Sequence, residues 1–272
     1  MDIDISIIIV NYNTGDLLYN CLKSIADSLS CRYEVIIVDN DSSDSSFLDC
    51  ERSFSSTPGF VFVQTGENLG FAKANNIGAG LAKGSILHFL NPDTEVRPSL
   101  DADYANVLSD PFSLYVNPLV NRDGSLENDR MPVPCIRDLV MWTFHRSSAR
   151  FWYKGASVIL SAANFRKIGG WSEDYFLYSE DLDLFYKVWL CGIQIKTLKS
   201  YIFHLGQGSS SRRWSNIERE VVVQKSMRIF FSKYFSTMEY IMVKLWFLFH
   251  NMLRHPRTVP FYLKAWYLSS LR

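Results

Sequence analysis

Three carboxylates fall within four residues in the run Glu180-Asp181-Leu182-Asp183. At a helix start such a group repels itself unless a cation, a hydroxyl donor or the helix dipole offsets the charge. One of the three could therefore serve as a general base, approached through the aromatic run at residues 171–178. Acids also gather in helix first turns for the dipole alone, but that leaves the aromatic approach unexplained. A second group, Asn91-Pro92-Asp93-Thr94-Glu95, directly follows a hydrophobic run. Mg²⁺ is typically held by one or two carboxylates plus substrate phosphates, so Asp93 is a candidate ligand. An Asx turn with Pro92 at its second position accounts for the same residues. In a third group, Asp39-Asn40-Asp41-Ser42-Ser43-Asp44, a strand-terminal Asp39 could accept a hydrogen bond from a base N–H or a ribose hydroxyl. The serines and Asp44 read equally well as a helix N-cap. His204 precedes a Gly and Ser stretch with Arg212 and Arg213 close behind, a set that could supply a metal ligand and phosphate-binding groups. A lone histidine is more often structural.

The elements that must position these residues follow from periodicity. Residues 5–10 are a near-continuous apolar run, as in a strand covered on both faces, and Leu17, Leu18, Cys21, Leu22 and Ile25 then recur at helical spacing. Strands are expected at residues 35–38, 60–63 and 85–90, and a helix over residues 71–83. This alternation marks βαβ units, and each strand ends in a polar loop where ligands bind in open α/β sheets. Residues 117–154 lose periodicity around Pro118, Pro132 and Pro134 and read as a loop-rich insertion. Beyond them a strand is expected at 156–160, helices at 162–168 and 182–191, a strand at 194–198, and helix from residue 217 onward.

The chain has 272 residues, 47% of them apolar and 21% charged. That is enough apolar surface to offset the ordering entropy, so a disordered or collagen-like chain is excluded. With 28 basic and 28 acidic residues, no whole-molecule charge draws it to nucleic acid, and nucleic acid is not expected as a partner. Five scattered cysteines without a C-x-x-C pair suggest a reducing compartment. The start, with Asp2 and Asp4, lacks a basic signal region, and no run of 18 apolar residues occurs. A cytoplasmic location is expected, at the cytoplasmic face of the cell membrane.

The order Ile7-Ile8-Ile9-Val10-Asn11-Tyr12-Asn13, Val38-Asp39-Asn40-Asp41, Asn68-Leu69-Gly70-Phe71-Ala72 with Ala74-Asn75-Asn76, Leu90-Asn91-Pro92-Asp93, Gly169-Gly170-Trp171, Glu180-Asp181-x-Asp183 and His204 resembles glycosyltransferase family 2. The likeness covers roughly residues 5–213 and is closest to the branch labelled rhamnosyltransferases. It implies a GT-A fold, a Rossmann-like, mostly parallel sheet with helices on both faces, here followed by a C-terminal helical extension. It also implies a hexosyltransferase reaction from a thymidine or uridine diphosphate sugar, with Mg²⁺ or Mn²⁺ and inversion at the anomeric carbon. By motif, Asn11, Tyr12 and Asn13 would line the nucleotide pocket and Asp39 would read the pyrimidine. Asn68 and Gly70 would lie near ribose and sugar, with Asn75 in the helix that braces their loop. Asp93 and His204 would ligate the metal. Asp181 would be the base, with Glu180 and Asp183 orienting it or the acceptor. Asn91 stands where the wider family has a first Asp, and Arg212 would join the nucleotide-sugar contacts.

Residues 212–272 hold 11 Lys and Arg against 3 Asp and Glu, which leaves 17 against 25 in residues 1–211. The chain therefore reads as a nucleotide-sugar-dependent domain, 1–211, and a basic aromatic helical tail, 212–272. Such a tail suits an interfacial helix on the anionic inner leaflet. Its aromatics could instead pack on the domain or form a homodimer contact. The expected acceptor is a glycan or a polyprenyl-diphosphate-linked sugar in cell-surface glycan synthesis, with rhamnose as one candidate donor sugar. Two competing classes are a nucleotidyltransferase, which would want a basic Gly-rich loop that residues 11–15 lack, and a non-catalytic nucleotide-sugar-binding protein.

Overall fold

The computed structural model describes residues 3–146, 149–206 and 215–270. The first apolar run forms β1 (Ile5–Asn11), buried along its whole length. Parallel to it lie β2 (Tyr33–Asp39), β4 (Ile86–Leu90) and, beyond β2, β3 (Phe60–Gln64). The connections are helical: α1 (Asp16–Ser28), α2 (Ser46–Phe54) and α3 (Phe71–Leu81). Successive strand residues face opposite sides. Ile5, Ile7 and Ile9 accordingly pack with Leu18, Leu22 and Phe47, whereas Ile8 packs with Ala72 of α3 on the other face. A Cβ on Gly78 would lie 2.5 Å from Ile8 Cγ2, so glycine is what lets α3 lie this close to the sheet.

The sheet continues through β10 (Ser157–Ser161), β6 (Leu114–Val116) and β11 (Ile195–Thr197), in the order β11-β6-β10-β4-β1-β2-β3. Here β10 runs opposite to both its neighbours. Its leading residues therefore lie at the edge where β1 and β4 end, and the Asn91 N–H donates to the Ala156 carbonyl at 2.9 Å. A second sheet joins β5 (Thr94–Glu95), β12 (Ile202–His204) and β7 (Leu119–Val120), which brings His204 beside Thr94. After α4 (Leu100–Ser109), the stretch expected as a loop-rich insertion contains β7, β8 (Arg130–Pro132), α5 (Ile136–Thr143) and β9 (Phe151–Tyr153), with β8 and β9 paired antiparallel. Strands of two or three residues are too short to carry a period, so they leave no signal in the sequence.

Next come α6 (Ala162–Lys167) and α7 (Glu180–Leu190). The C-terminal segment forms α8 (Asn216–Tyr234), opened by a Ser215/Glu218 capping box, then α9 (Thr237–Arg254) and α10 (Val259–Ser270). The expected boundary at 211/212 falls outside the described residues. Phe230, Phe231 and Val243 share one apolar cluster with Val133, Cys135, Leu139, Leu182 and Tyr186, so part of the tail packs on the domain. No helix among the described residues is long and apolar enough to cross a membrane.

Candidate active site

The ends of β1, β2 and β4 and the leading end of β10 border a cavity of about 550 Å³, within the roughly 300–1,000 Å³ of small-molecule sites. Tyr12, Asn91 and Asp93 line it from strand ends, Asn68 and Gly70 from the loop before α3, Glu180 and Asp181 from α7, and His204 from β12. Asn11, Asp39, Asn75 and Asp183 are buried behind that lining, and half-buried Asn13 is not part of it. Arg212 lies outside the described residues.

The residues behind the wall fix its shape. Asn11 Nδ2 donates to Asp39 Oδ1 at 2.8 Å, and the Ser42 hydroxyl and N–H donate to the two Asp39 oxygens at 2.6 and 3.1 Å. Asn13, at φ 52°, accepts from the N–H groups of Ser43 and Asp44 at 2.7 and 3.1 Å. The N-cap of α2 is Ser45, whose side chain makes no capping bond, and of the run expected to cap the helix only Asp44 meets it, accepting from the Ser46 N–H at 3.1 Å. Ser42 and Ser43 instead tie the β1 loop to the β2 loop. Asn40 and Asn68 bond to each other at 3.0 Å, and Asn68 Oδ1 accepts from the Gly70 N–H. Gly70, at φ 85°, could not carry a Cβ, which would sit 2.6 Å from the Phe176 carbonyl oxygen. Asn75 bonds back to the Phe71 carbonyl within α3.

The three acids of α7 separate. Residues two apart are about 200° around a helix, so Asp181 faces the cavity while Asp183 is wholly buried. Asp183 accepts from Ser172 Oγ, Tyr175 and Tyr234 hydroxyls at 2.5, 2.9 and 3.0 Å, with Lys233 at 2.9 Å and Lys187 at 3.4 Å. Burial works against its charge, but these donors hold its pKa below the ordinary value. Among the described residues no ion pair reaches Glu180 or Asp181; burial pushes both upward, Glu180 to about 8 with the help of the Asp181 charge, and Asp181 to about 6 against the N–H groups of Leu182 and Gly155 and the Lys154 charge. Glu180 is buried and its Oε2 has no hydrogen-bond partner among the described residues. Directly before this pair, Tyr178 and Ser179 sit at φ 67° and 66°. Left-handed non-glycine residues store roughly 1–3 kcal/mol each where the surroundings enforce them. Here Ser226 of α8 donates to the Leu177 carbonyl, and Lys233 bonds Asp174, pinning the strained approach from outside.

His204 Nε2 lies 3.6 Å from Asp93 Oδ1, so the structure brings the two expected metal ligands together. Its Nδ1 bonds Glu127 Oε2 at 2.7 Å, and the other Glu127 oxygen pairs with Lys154. Burial works to raise the Glu127 pKa, yet Lys154 and His204 hold it below the ordinary value. No group of three His, Cys, Asp or Glu suited to a metal occurs among the described residues. Two protein donors, with phosphate and water completing the shell, still suit Mg²⁺ or Mn²⁺. Glu127, Lys154 and Arg219 of α8 went unread in the sequence. Lys154 precedes an antiparallel strand, Glu127 lies in the aperiodic stretch, and Arg219 reaches the cavity from the tail.

Residues 6–173 match the profile of glycosyl transferase family 2. The chain belongs to that family. It is similar to the low-salt glycan biosynthesis hexosyltransferase Agl10 of Haloferax volcanii, 27% identical over 198 residues, 68% of this chain and 61% of that one. It is also similar to the glycosyltransferase GlyG of Streptococcus pneumoniae, 27% identical over 162 residues, 57% of this chain and 54% of that one. The match thus spans less than two thirds of either relative. Among solved structures, S. aureus TarS 1–349 in complex with UDP-GlcNAc superposes with a TM-score of 0.64 at 17% identity, over 97% of this chain and 79% of that one. GalNAc-T7 with UDP, GalNAc and Mn²⁺ gives 0.61 at 18% identity, over 81% and 48%. The family 2 chain therefore has the GT-A fold, with a C-terminal helical segment added.

Proposed function

We propose that this chain transfers a sugar from a nucleotide diphosphate donor to a hydroxyl of a glycan or lipid-linked acceptor, with inversion at the anomeric carbon. The observation that carries this reading is that the Glu180/Asp181 pair and the Asp93/His204 pair open on one cavity with Tyr12, Asn68 and Gly70. An acid near a potential diphosphate site is what such a reaction requires. A sugar hydroxyl is a poor nucleophile, so a carboxylate must accept its proton as the new C1–O bond forms and the bond to the diphosphate breaks. Asp181 takes that proton, attack comes from the face opposite the leaving group, and no covalent enzyme intermediate is needed. Glu180, which burial and the Asp181 charge keep protonated at neutral pH, would offer its proton as a hydrogen bond to the acceptor. Asp183 anchors α7 from behind.

Asp93 and His204 would hold Mg²⁺ or Mn²⁺, which supplies positive charge to the diphosphate leaving group. Asn11, Asn13 and Asp39 shape the nucleotide end, Asn68 and Gly70 border the ribose and sugar, and Arg219 adds a cation to the cavity. The nucleotide is a thymidine or uridine diphosphate; UDP complexes of the GT-A neighbours support this class. Asn-Pro-Asp in place of Asp-x-Asp supports a rhamnosyltransferase-like donor preference. The basic tail supports work at the cytoplasmic face of a membrane on a lipid-linked acceptor. A thermal-shift screen of nucleotide sugars with and without Mn²⁺ tests donor binding, because a ligand bound only by the folded state raises apparent stability. With the donor so identified, Asp181→Asn should lower transfer by about 10²–10⁴-fold while leaving the donor-induced shift intact. Unchanged transfer would remove Asp181 from the role of base.

A further inference from the structure

We infer that Glu127, held by Lys154, is a positioning residue for His204 that fixes which ring nitrogen faces Asp93 and thereby sets the affinity of the pair for a divalent cation. This rests on the reading of Asp93 and His204 as cation ligands. Glu127 reaches the site from the irregular segment between β7 and β8, anchored by its N–H on the Leu119 carbonyl at 2.8 Å. Both of its carboxylate oxygens are engaged, one by Lys154 and one by His204 Nδ1 at 2.7 Å. In the neutral imidazole the proton therefore sits on Nδ1, donated to a carboxylate that can only accept, and the lone pair is left on Nε2. That nitrogen stands 3.6 Å from Asp93 Oδ1, beyond hydrogen-bond reach. The two atoms thus face one another as two acceptors, an arrangement that a cation between them would relieve.

The side chains of His204, Glu127 and Asp93 are only 13, 17 and 7% exposed, so water competes weakly for these contacts. Carboxylates behind metal-ligating histidines raise ligand basicity and restrict ring rotation, and their loss typically weakens metal binding about 10–100-fold. Lys154 completes the arrangement by neutralising the Glu127 charge that would otherwise face Asp93 across the imidazole. It also lines the cavity on the way to Asp181, so one lysine borders both the cation side and the acid side of the site.

The test uses the full chain. Mn²⁺ is titrated by electron paramagnetic resonance, alone and with saturating UDP, in the parent, Glu127→Ala and Glu127→Gln, and the ¹⁵N shifts of the His204 ring are recorded without metal at pH 8. The Ala variant should bind Mn²⁺ about 10–100-fold more weakly and lose the strong preference for the Nδ1–H tautomer. The Gln variant, whose carbonyl still accepts from Nδ1–H, should keep the tautomer and lose less affinity. Should the Ala variant fail to melt cooperatively, the affinity loss of the isosteric Gln variant decides. Parent-like Mn²⁺ affinity in the variants overturns the inference while leaving the cation reading intact. A parent that binds no Mn²⁺ in either condition overturns both.

Discussion

Asp181 and Glu180 keep their protons more tightly than free carboxyls because burial strips them of water and, for Glu180, because the Asp181 charge lies beside it. If Asp181 is the base, transfer must fall as pH drops through about 6, where its carboxylate fills with protons. A pH profile of kcat/KM with a limb near that value is the expected result, and a flat profile from pH 5 to 8 would contradict it. Glu180 makes a separate, thermodynamic prediction. Its folded pKa of about 8 exceeds the ordinary 4.5, so between those values the folded state binds more protons than the unfolded one, and stability falls as pH rises. Glu180→Gln cannot ionise. It should therefore be more stable than the parent at pH 8 by on the order of 4 kcal/mol and nearly equal to it at pH 4.5, as read by urea denaturation.

Among the elements, α8 braces the acids of α7 from outside while also lending Arg219 to the cavity wall. Ser226, Lys233 and Tyr234 bond the Leu177 carbonyl, Asp174 and Asp183, and Phe230 packs edge-on against Tyr186 of α7 at 5.4 Å. The left-handed turn at Tyr178 and Ser179 persists because this helix and the Gly70 loop close on it from two sides. Phe230→Ala removes a fully buried ring from that contact and should cost about 3–5 kcal/mol of stability. Because α7 loses its support, transfer should fall more steeply with temperature than in the parent, with unfolding midpoints and activity measured on the same samples.

Across the whole molecule, the balance of 28 basic and 28 acidic residues conceals a basic segment against an acidic remainder. Part of that segment is spent on packing, since Phe230, Phe231 and Val243 are buried. Met238, Ile241, Met242, Leu245, Phe249 and Met252 of α9 remain exposed at spacings of three and four, an apolar stripe along one helix face. Such a stripe within a basic C-terminal segment should favour anionic lipid. In vesicle flotation, recovery should be higher with anionic than with neutral vesicles and should fall on deleting residues 236–272. Equal recovery in all three cases would exclude lipid contact through this segment.

The strand-end residues were legible because their placement is local: an apolar run ends, a polar residue follows, and parallel topology carries Asp39, Asn91 and Asp93 to one edge. The acidic start of α7 was legible for the same reason. Glu127 and Lys154 were not, because the direction of β10 and the pairing of two- and three-residue strands depend on partners far along the chain. Nor could periodicity divide the acid cluster into a cavity-facing pair and an anchored Asp183, since Ser172, Tyr175 and Tyr234 reach Asp183 only after the tail has docked. By itself the amino-acid order carried the family, the parallel β1–β4 part of the sheet and a set of candidate groups. Which of those groups face the cavity, and what holds them there, was decided by long-range packing alone, since burial and charge neutralisation come from residues distant in sequence.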